Sequence, residues 1–207
     1  MKFVLKLLWF MSTLCMVISC STEETHKEKE ENVIVQANLT AKENGILTTT
    51  TDQFLITDFN LIGEDNKVSI RFEKYKSGKL IKKWDSISTE KIGDGTIVLT
   101  FSTNSEDGNQ LEIRSGIISK GSTSSNIVYD HLKDSESEYL LGLSDSPLLM
   151  EQKVKEEMLI GSFLFQIEGD SIESPGPEFY QSLKENLDEY DVVYLIWAEF
   201  KKKSEWR

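Results

Sequence analysis

The chain has 207 residues, 35 of them acidic and 23 basic, for a formal net charge of −12. A surface this acidic argues against nucleic acid as a partner and against direct adsorption to anionic lipid. With two cysteines and two histidines in all, there is little material for disulfides, thiolate metal centres or imidazole catalysis.

Lys2 and Lys6 open a cationic start, and Leu7 to Ile18 follow as the apolar run LLWFMSTLCMVI. That run is shorter than the roughly 20 residues a membrane-crossing helix needs, so it reads as an export signal. VISC, Val17 to Cys20, resembles the bacterial lipobox: an aliphatic residue, a spacer, a small residue and a cysteine. The resemblance implies cleavage between Ser19 and Cys20 and attachment of diacylglycerol to the Cys20 thiol. Two acyl chains anchor a protein stably where one does not.

The expected organisation is therefore a signal peptide over residues 1–19, a lipidated cysteine and charged flexible tether over 20–32, and a single domain over 33–207. The tether, STEETHKEKEEN after Cys20, has no Leu, Ile, Val or aromatic residue and cannot bury enough surface to order itself. His26 lies within it and is expected to be solvated. Once Cys15 leaves with the signal and Cys20 takes lipid, the domain is expected to hold no disulfide, no thiolate zinc site and no thiol nucleophile. Loss of Lys2 and Lys6 lowers the basic count from 23 to 21 against 35 acidic residues, a formal charge of −14.

From Val33 onward apolar residues recur at period two between short turns, the pattern of antiparallel strands. TTTTDQFLITDFNLI predicts one or two strands around Phe54, Ile56, Phe59 and Leu61. KVSIRF puts Val68, Ile70 and Phe72 on one face, and Ser77-Gly78 turns the chain into a second strand ending at Trp84. TIVLTFS points Ile97, Leu99 and Phe101 inward, Asp107-Gly108 turns, and Leu111 and Ile113 return. SKGSTSSN, residues 119–126, is the most linker-like stretch.

EEMLIGSFLFQI and DVVYLIWAEF read as strands too apolar to have a solvent face, the second with Val192, Tyr194, Ile196 and Ala198 on one side and Val193, Leu195 and Trp197 on the other. The first half of the domain is the simplest source of cover. Between them, Pro177 and Glu178 open a helix whose Phe179, Leu183, Leu187 and Tyr190 form an apolar stripe. The expected fold is all-β, an antiparallel immunoglobulin-like β-sandwich with one short helix before the last strand.

VISC, the charged tether, FEKYKSGK, the Ser-rich middle, EEMLIGSFLF and DEYDVVYLIWAEFKKK together resemble small uncharacterised lipoproteins of bacillus-type Gram-positive bacteria. That likeness covers most of the mature chain and carries over no catalytic residue.

The search for chemistry yields no catalytic set and no cofactor. His131, in NIVYDHLKDSESEY, is a surface histidine in a polar loop on this reading, with no nucleophile elbow elsewhere. DSESE fails as an EF-hand because Tyr139 stands where the sharp-turn glycine belongs, which leaves an irregular calcium site among Asp134, Glu136, Glu138 and Asp145 as an open alternative. Glu199 and Glu168 are the carboxyls whose apolar flanks allow a raised pKa, although strand ends explain both. Gly93 to Gly95 form a turn, not a phosphate loop. KKKSEWR, residues 201–207, is a basic tail that either frays or seeks an anionic surface.

The expected function is that of a non-enzymatic module, lipid-anchored on the extracytoplasmic face of the cell membrane through Cys20. Its partners are another envelope protein, reached through an exposed strand edge or a loop, or cell-wall polymer. Tyr75 and Trp84 are contact candidates, although strand aromatics more often serve the core. A carboxylate-dependent envelope hydrolase is the alternative.

Overall fold

The alternating runs of the sequence build two antiparallel sheets that face each other. The computed structural model describes residues 32–103, 110–120, 122–131, 141–148, 150–166 and 171–202. The leader, Cys20, the tether through Glu31, the Asp107-Gly108 turn, Asp134, Glu136, Glu138, Glu168 and residues 203–207 lie outside the described residues.

The strands are β1 (Val33–Gln36), β2 (Gln53–Asn60), β3 (Asn66–Lys76), β4 (Lys79–Ile92), β5 (Asp94–Thr103), β6 (Gln110–Ser119), β7 (Ser122–His131), β8 (Leu141–Asp145), β9 (Gln152–Lys153), β10 (Glu157–Gln166) and β11 (Val192–Lys202). One sheet runs β7-β6-β5-β2-β1-β9 and the other β4-β3-β11-β10-β8. The first is the outer-trough sheet and the second the helix-backed sheet.

Period-two alternation places the core where the sequence puts it. Val68, Ile70 and Phe72 from β3 face Ile97, Leu99 and Phe101 from β5 and Leu111 and Ile113 from β6, all at most 1% exposed. Each such side chain contributes about 1.5–3 kcal/mol by leaving water. The aromatic rings of Phe72 and Phe163 meet Phe101 from the opposite sheet. Gly161 sits at a bulge in β10, where an added Cβ would strike the Leu55 side chain and lie 3.0 Å from the Asp145 carbonyl.

The β3–β4 hairpin turns at Ser77 and Gly78, both at positive φ (44° and 73°), the requirement of a two-residue type I′ turn. β4 then continues past Trp84 to Ile92, longer than the alternation alone indicates.

The last strand has cover on both faces, from two different sources. Val192, Tyr194, Ile196 and Ala198 pack into the inter-sheet core. Val193 and Leu195 pack under a helical segment together with Leu164, and Trp197 lies beside them. That segment comprises α2 (Pro177–Gln181), α3 (Leu183–Asn186) and a 3₁₀ turn (Leu187–Glu189). Phe179, Leu187 and Tyr190 are buried against the sheet and Leu183 packs at their margin. The expected helix is thus present, broken at Ser182.

Two stretches differ from the sequence reading. Residues 119–126 are not a linker: Ser122 to Asn126 of β7 pair residue by residue with Ser119 to Ser115 of β6. An edge strand with a solvent face needs no apolar alternation, so its serines hide the strand. The second is a ten-residue helix, α1 (Ala41–Thr50), where the threonine run reads as strand. Thr40 and Glu43 form a capping box, and the hydroxyls of Thr48, Thr49 and Thr50 donate back to the carbonyls of Asn44, Gly45 and Ile46.

Candidate functional site

The two outward sheet faces are treated differently, and the difference locates the site. The helix-backed sheet is covered by α2, α3 and the 3₁₀ turn. Among the described residues the outer-trough sheet is spanned only by α1, which buries none of its residues. This helix is nevertheless held at both ends. Before it, the Ala37 N–H donates to the Ile56 carbonyl at 3.0 Å. After it, the Thr51 hydroxyl donates to the Phe101 carbonyl at 2.9 Å, and the Asp52 carboxylate accepts from the backbone and hydroxyl of Thr103.

A helix pinned at its ends but not packed along its length leaves a trough beneath it. One half is a cavity of about 390 Å³ between Ile46 and Leu47 of α1 and Ile56, Val98 and Ile118 of the sheet. Ile46 is 53% exposed and Ile118 43%. The carboxylates of Glu43 and Asp58 and the hydroxyl of Thr96 stand at this half too. A second cavity of about 480 Å³ uses the next outward residues of β5, Thr100 and Ser102, with Thr50, Thr51, Glu112 and Arg114. The trough is thus a row of two cavities on the outward face of β5 and β6 that share no lining residue, the first mostly apolar and the second hydroxyl-lined.

Its charged groups are already organised. Glu43 accepts from the Thr40 hydroxyl at 2.7 Å and the Thr40 N–H at 2.8 Å, and these bonds hold its carboxyl below the ordinary range. Asp58 accepts from the Thr96 hydroxyl at 2.6 Å. Arg114 donates to Glu112. Such a site can bind through apolar burial and hydroxyl hydrogen bonds, with the Thr40 and Thr96 hydroxyls already committed to the carboxylates of Glu43 and Asp58.

Two other polar clusters are internally compensated. On the helix-covered face, Arg71 donates to Glu199 at 2.8 Å and pairs with Glu73 and Glu157, while Trp197 Nε1 and the Tyr75 hydroxyl each donate to Glu73 at 3.1 Å. Burial, then the neighbouring Glu73 charge, pushes the Tyr75 phenol up to about 12. At one end of the inter-sheet core, Lys74 Nζ lies 2.9 Å from Asp130 Oδ2.

The residues singled out from sequence are scattered by this fold. His131 is not in a loop but ends β7, exposed, with its backbone carbonyl accepting from Lys74. Trp84 is half-buried and stacked on Phe72, with centroids 5.3 Å apart, and Tyr75 packs at the edge of the helix-covered cluster. Both serve packing. Glu199 departs from its expected environment: burial opposes its charge, but hydrogen bonds from Lys201 and Arg71 outweigh this and hold the carboxyl below the ordinary range. Asp145 closes β8 and accepts from the Tyr180 hydroxyl at 2.8 Å. The edge strand β4 exposes Lys79, Lys82 and Lys83, a composition that discourages strand addition.

The trough residues escape sequence reasoning because α1 does. The signal for it was Thr40-x-x-Glu43, a capping box written just before a threonine run that pulls the reading toward strand. Among the described residues no cluster of His, Cys, Asp and Glu could hold a metal ion, and no helix is long and apolar enough to cross a membrane.

Compared with known families, the chain matches the model of the YgaN domain over residues 33–200. No curated protein matches it. No solved structure does either.

Proposed function

The chain belongs to the YgaN domain family, and on that premise we propose a lipid-anchored extracytoplasmic binding protein whose trough holds an extended, basic, apolar segment of another envelope protein. The anchor rests on VISC and the polar tether, and the binding role rests on the trough. The observation that carries the second part is a helix fixed at both ends that buries no residue of its own. A ten-residue helix is about 15 Å long, the reach of four or five residues of extended chain.

Charge selects the occupant. Glu43, Asp58 and Glu112 outnumber Arg114 along the trough, and the whole chain carries −12. A basic segment is drawn in and an acidic one repelled. Apolar side chains of the occupant would cover Ile46, Val98 and Ile118, and its backbone would meet the threonine and serine hydroxyls.

The test uses the full-length protein in a neutral detergent, titrated with extended hexapeptides of equal apolar content that differ in charge. The basic peptides are expected to bind at least tenfold more tightly than the acidic ones, and Val98→Lys to remove the difference at unchanged melting temperature. Equal binding of all peptides, or displacement of the basic peptide by purified wall polymer, overturns the reading. The anchor is tested separately. Cys20→Ala is expected to move the protein from the membrane fraction to the soluble extracytoplasmic fraction, and retention in the membrane counts against lipidation.

A further inference from the structure

Away from the trough, a pocket of about 290 Å³ opens between the end of β8 and the start of α2. Asp145, Ser146, Tyr180 and Gln181 supply its polar groups. Its remaining wall is made of Pro147, Pro175 and Pro177, all three prolines of the chain. A proline offers a carbonyl but no N–H, so these walls are rigid, apolar in their rings and donor-free in their backbone.

The donors near the floor are already committed. The Tyr180 hydroxyl lies 2.8 Å from Asp145 Oδ2 and gives its proton to that carboxylate, leaving the fully buried Ser162 hydroxyl, 2.9 Å away, to donate to the phenol oxygen. The Ser146 hydroxyl donates to the Ile160 carbonyl, and the Ser146 N–H is spent on Asp145. What the pocket presents is acceptor capacity around one carboxylate, with the Gln181 amide offering both an acceptor and a donor.

That carboxylate lacks what its counterparts have. Glu73 is paired with Arg71 and Lys83, Asp130 with Lys74, and Glu199 with Arg71 and Lys201. Among the described residues no Lys, Arg or His lines the Asp145 pocket. Burial pushes the Asp145 carboxyl up, against the opposing hydrogen bonds from Tyr180 and Ser146. The titratable groups facing it are Tyr180 and, further off, Tyr190, both themselves held neutral chiefly by burial. A partly buried charge with acceptors around it and no countercharge fits a ligand that brings donors and positive charge together.

We propose that the pocket floored by Asp145 binds a primary ammonium group on a short alkyl stem. The ammonium has three donors and no acceptor, which matches the lining, and the stem lies against the proline rings. The source is either a free small amine or a lysine-type side chain. This site is separate from the trough and does not depend on the trough's occupant.

The experiment titrates the full-length protein in neutral detergent with n-butylammonium, with N-acetyl-lysine methylamide and with the neutral isostere n-butanol, following binding by calorimetry at pH 7. One or both ammonium probes are expected to bind saturably. Tighter binding of the lysine derivative identifies a polypeptide source, and binding of butylammonium alone identifies a free amine. Asp145→Asn keeps the pocket's shape and is expected to weaken binding at least tenfold. In the native protein affinity should fall on acidification as Asp145 takes up a proton. Tyr180→Phe removes a hydrogen bond that favours the ionised carboxyl, so its loss of affinity should begin at higher pH. No saturable ammonium binding, equal binding of n-butanol, or an unchanged affinity in Asp145→Asn overturns the proposal.

Discussion

Lys74 continues the inward row begun by Val68, Ile70 and Phe72, and its Nζ meets Asp130 Oδ2 at 2.9 Å, where the Tyr194 hydroxyl also donates at 2.8 Å. The lysine lies 5.5 Å over the Tyr194 ring and is 8% exposed. A charge ends an apolar row because β7, in the facing sheet, supplies its counterion. This contact ties the end of β7 to β3 and β11 across the sandwich.

Asp130→Asn would leave the Lys74 charge without its ionised partner. Breaking a buried pair this way costs roughly 3–5 kcal/mol, and the low end applies because Lys82, on the other side of Asp130, is 46% exposed to water. A fall in melting temperature of roughly 6–12 °C is expected. The pH dependence has a definite sign. Burial opposes the Asp130 charge, but bonds from Lys74 and Tyr194 outweigh it, so its folded pKa lies below the ordinary 3.8. The stabilisation is present above 3.8 and lost as pH falls through the folded value. Native and variant melting curves should therefore converge in acid.

Thr40→Ala tests whether α1 is a wall of the trough. Removing an N-cap of this kind costs about 1 kcal/mol, and α1 has no buried residue to hold it in place. The melting temperature should fall by roughly 2–4 °C, while affinity for the basic hexapeptide should fall by a larger factor than that loss alone implies. Thr40→Ser, which keeps the hydroxyl, should restore both. An intact affinity in Thr40→Ala would separate the helix from the site.

These residues also mark how far the sequence could be read. The inward rows were legible because burial on one face imposes period two, as at Ile97, Leu99 and Phe101. The double cover of β11 was legible because both of its alternating sets are apolar; its second source, the helical segment, came from the stripe of Phe179, Leu187 and Tyr190. β7 was not legible, since a solvent-facing edge strand of serines carries no apolar period. The trough was not legible either, because it depends on a helix that packs against nothing, and only packing writes an amphipathic pattern. The Asp145 pocket is lined by residues from two elements far apart in the chain, β8 and α2, and the loops beside them, and no local spacing announces it.

Leu187 offers a test of the cover over the helix-backed sheet. It is 3% exposed and packs with Phe179, Tyr190, Val193 and Leu195. Leu187→Ala should cost roughly 2–5 kcal/mol through lost burial and the cavity left behind. Thermal unfolding should register it as a single transition shifted down, because the 3₁₀ turn leads directly into β11. A small shift, or a separate early transition, would mean that the segment is an appendage and not part of the cooperative core.

Asp145→Asn should act in the opposite direction to Asp130→Asn at neutral pH. Burial raises the Asp145 pKa above its ordinary 3.8 in the folded chain. A group shifted this way contributes stability that is full below 3.8 and is lost as pH rises through the folded value. At pH 7 the native protein therefore bears the cost of an ionised carboxylate with no countercharge among the described lining residues, and the amide removes it. The pocket is open to water, which screens the effect, so the expected gain in melting temperature is no more than roughly 2–4 °C, that of about 1 kcal/mol. At pH 3 the carboxyl is protonated in both folded and unfolded chains, and the two proteins should melt together. The same difference should vanish at pH 7 when n-butylammonium saturates the native protein, because the ligand supplies the missing charge. A variant less stable than native at pH 7 would mean that the Tyr180 hydrogen bond to the ionised carboxylate outweighs its burial.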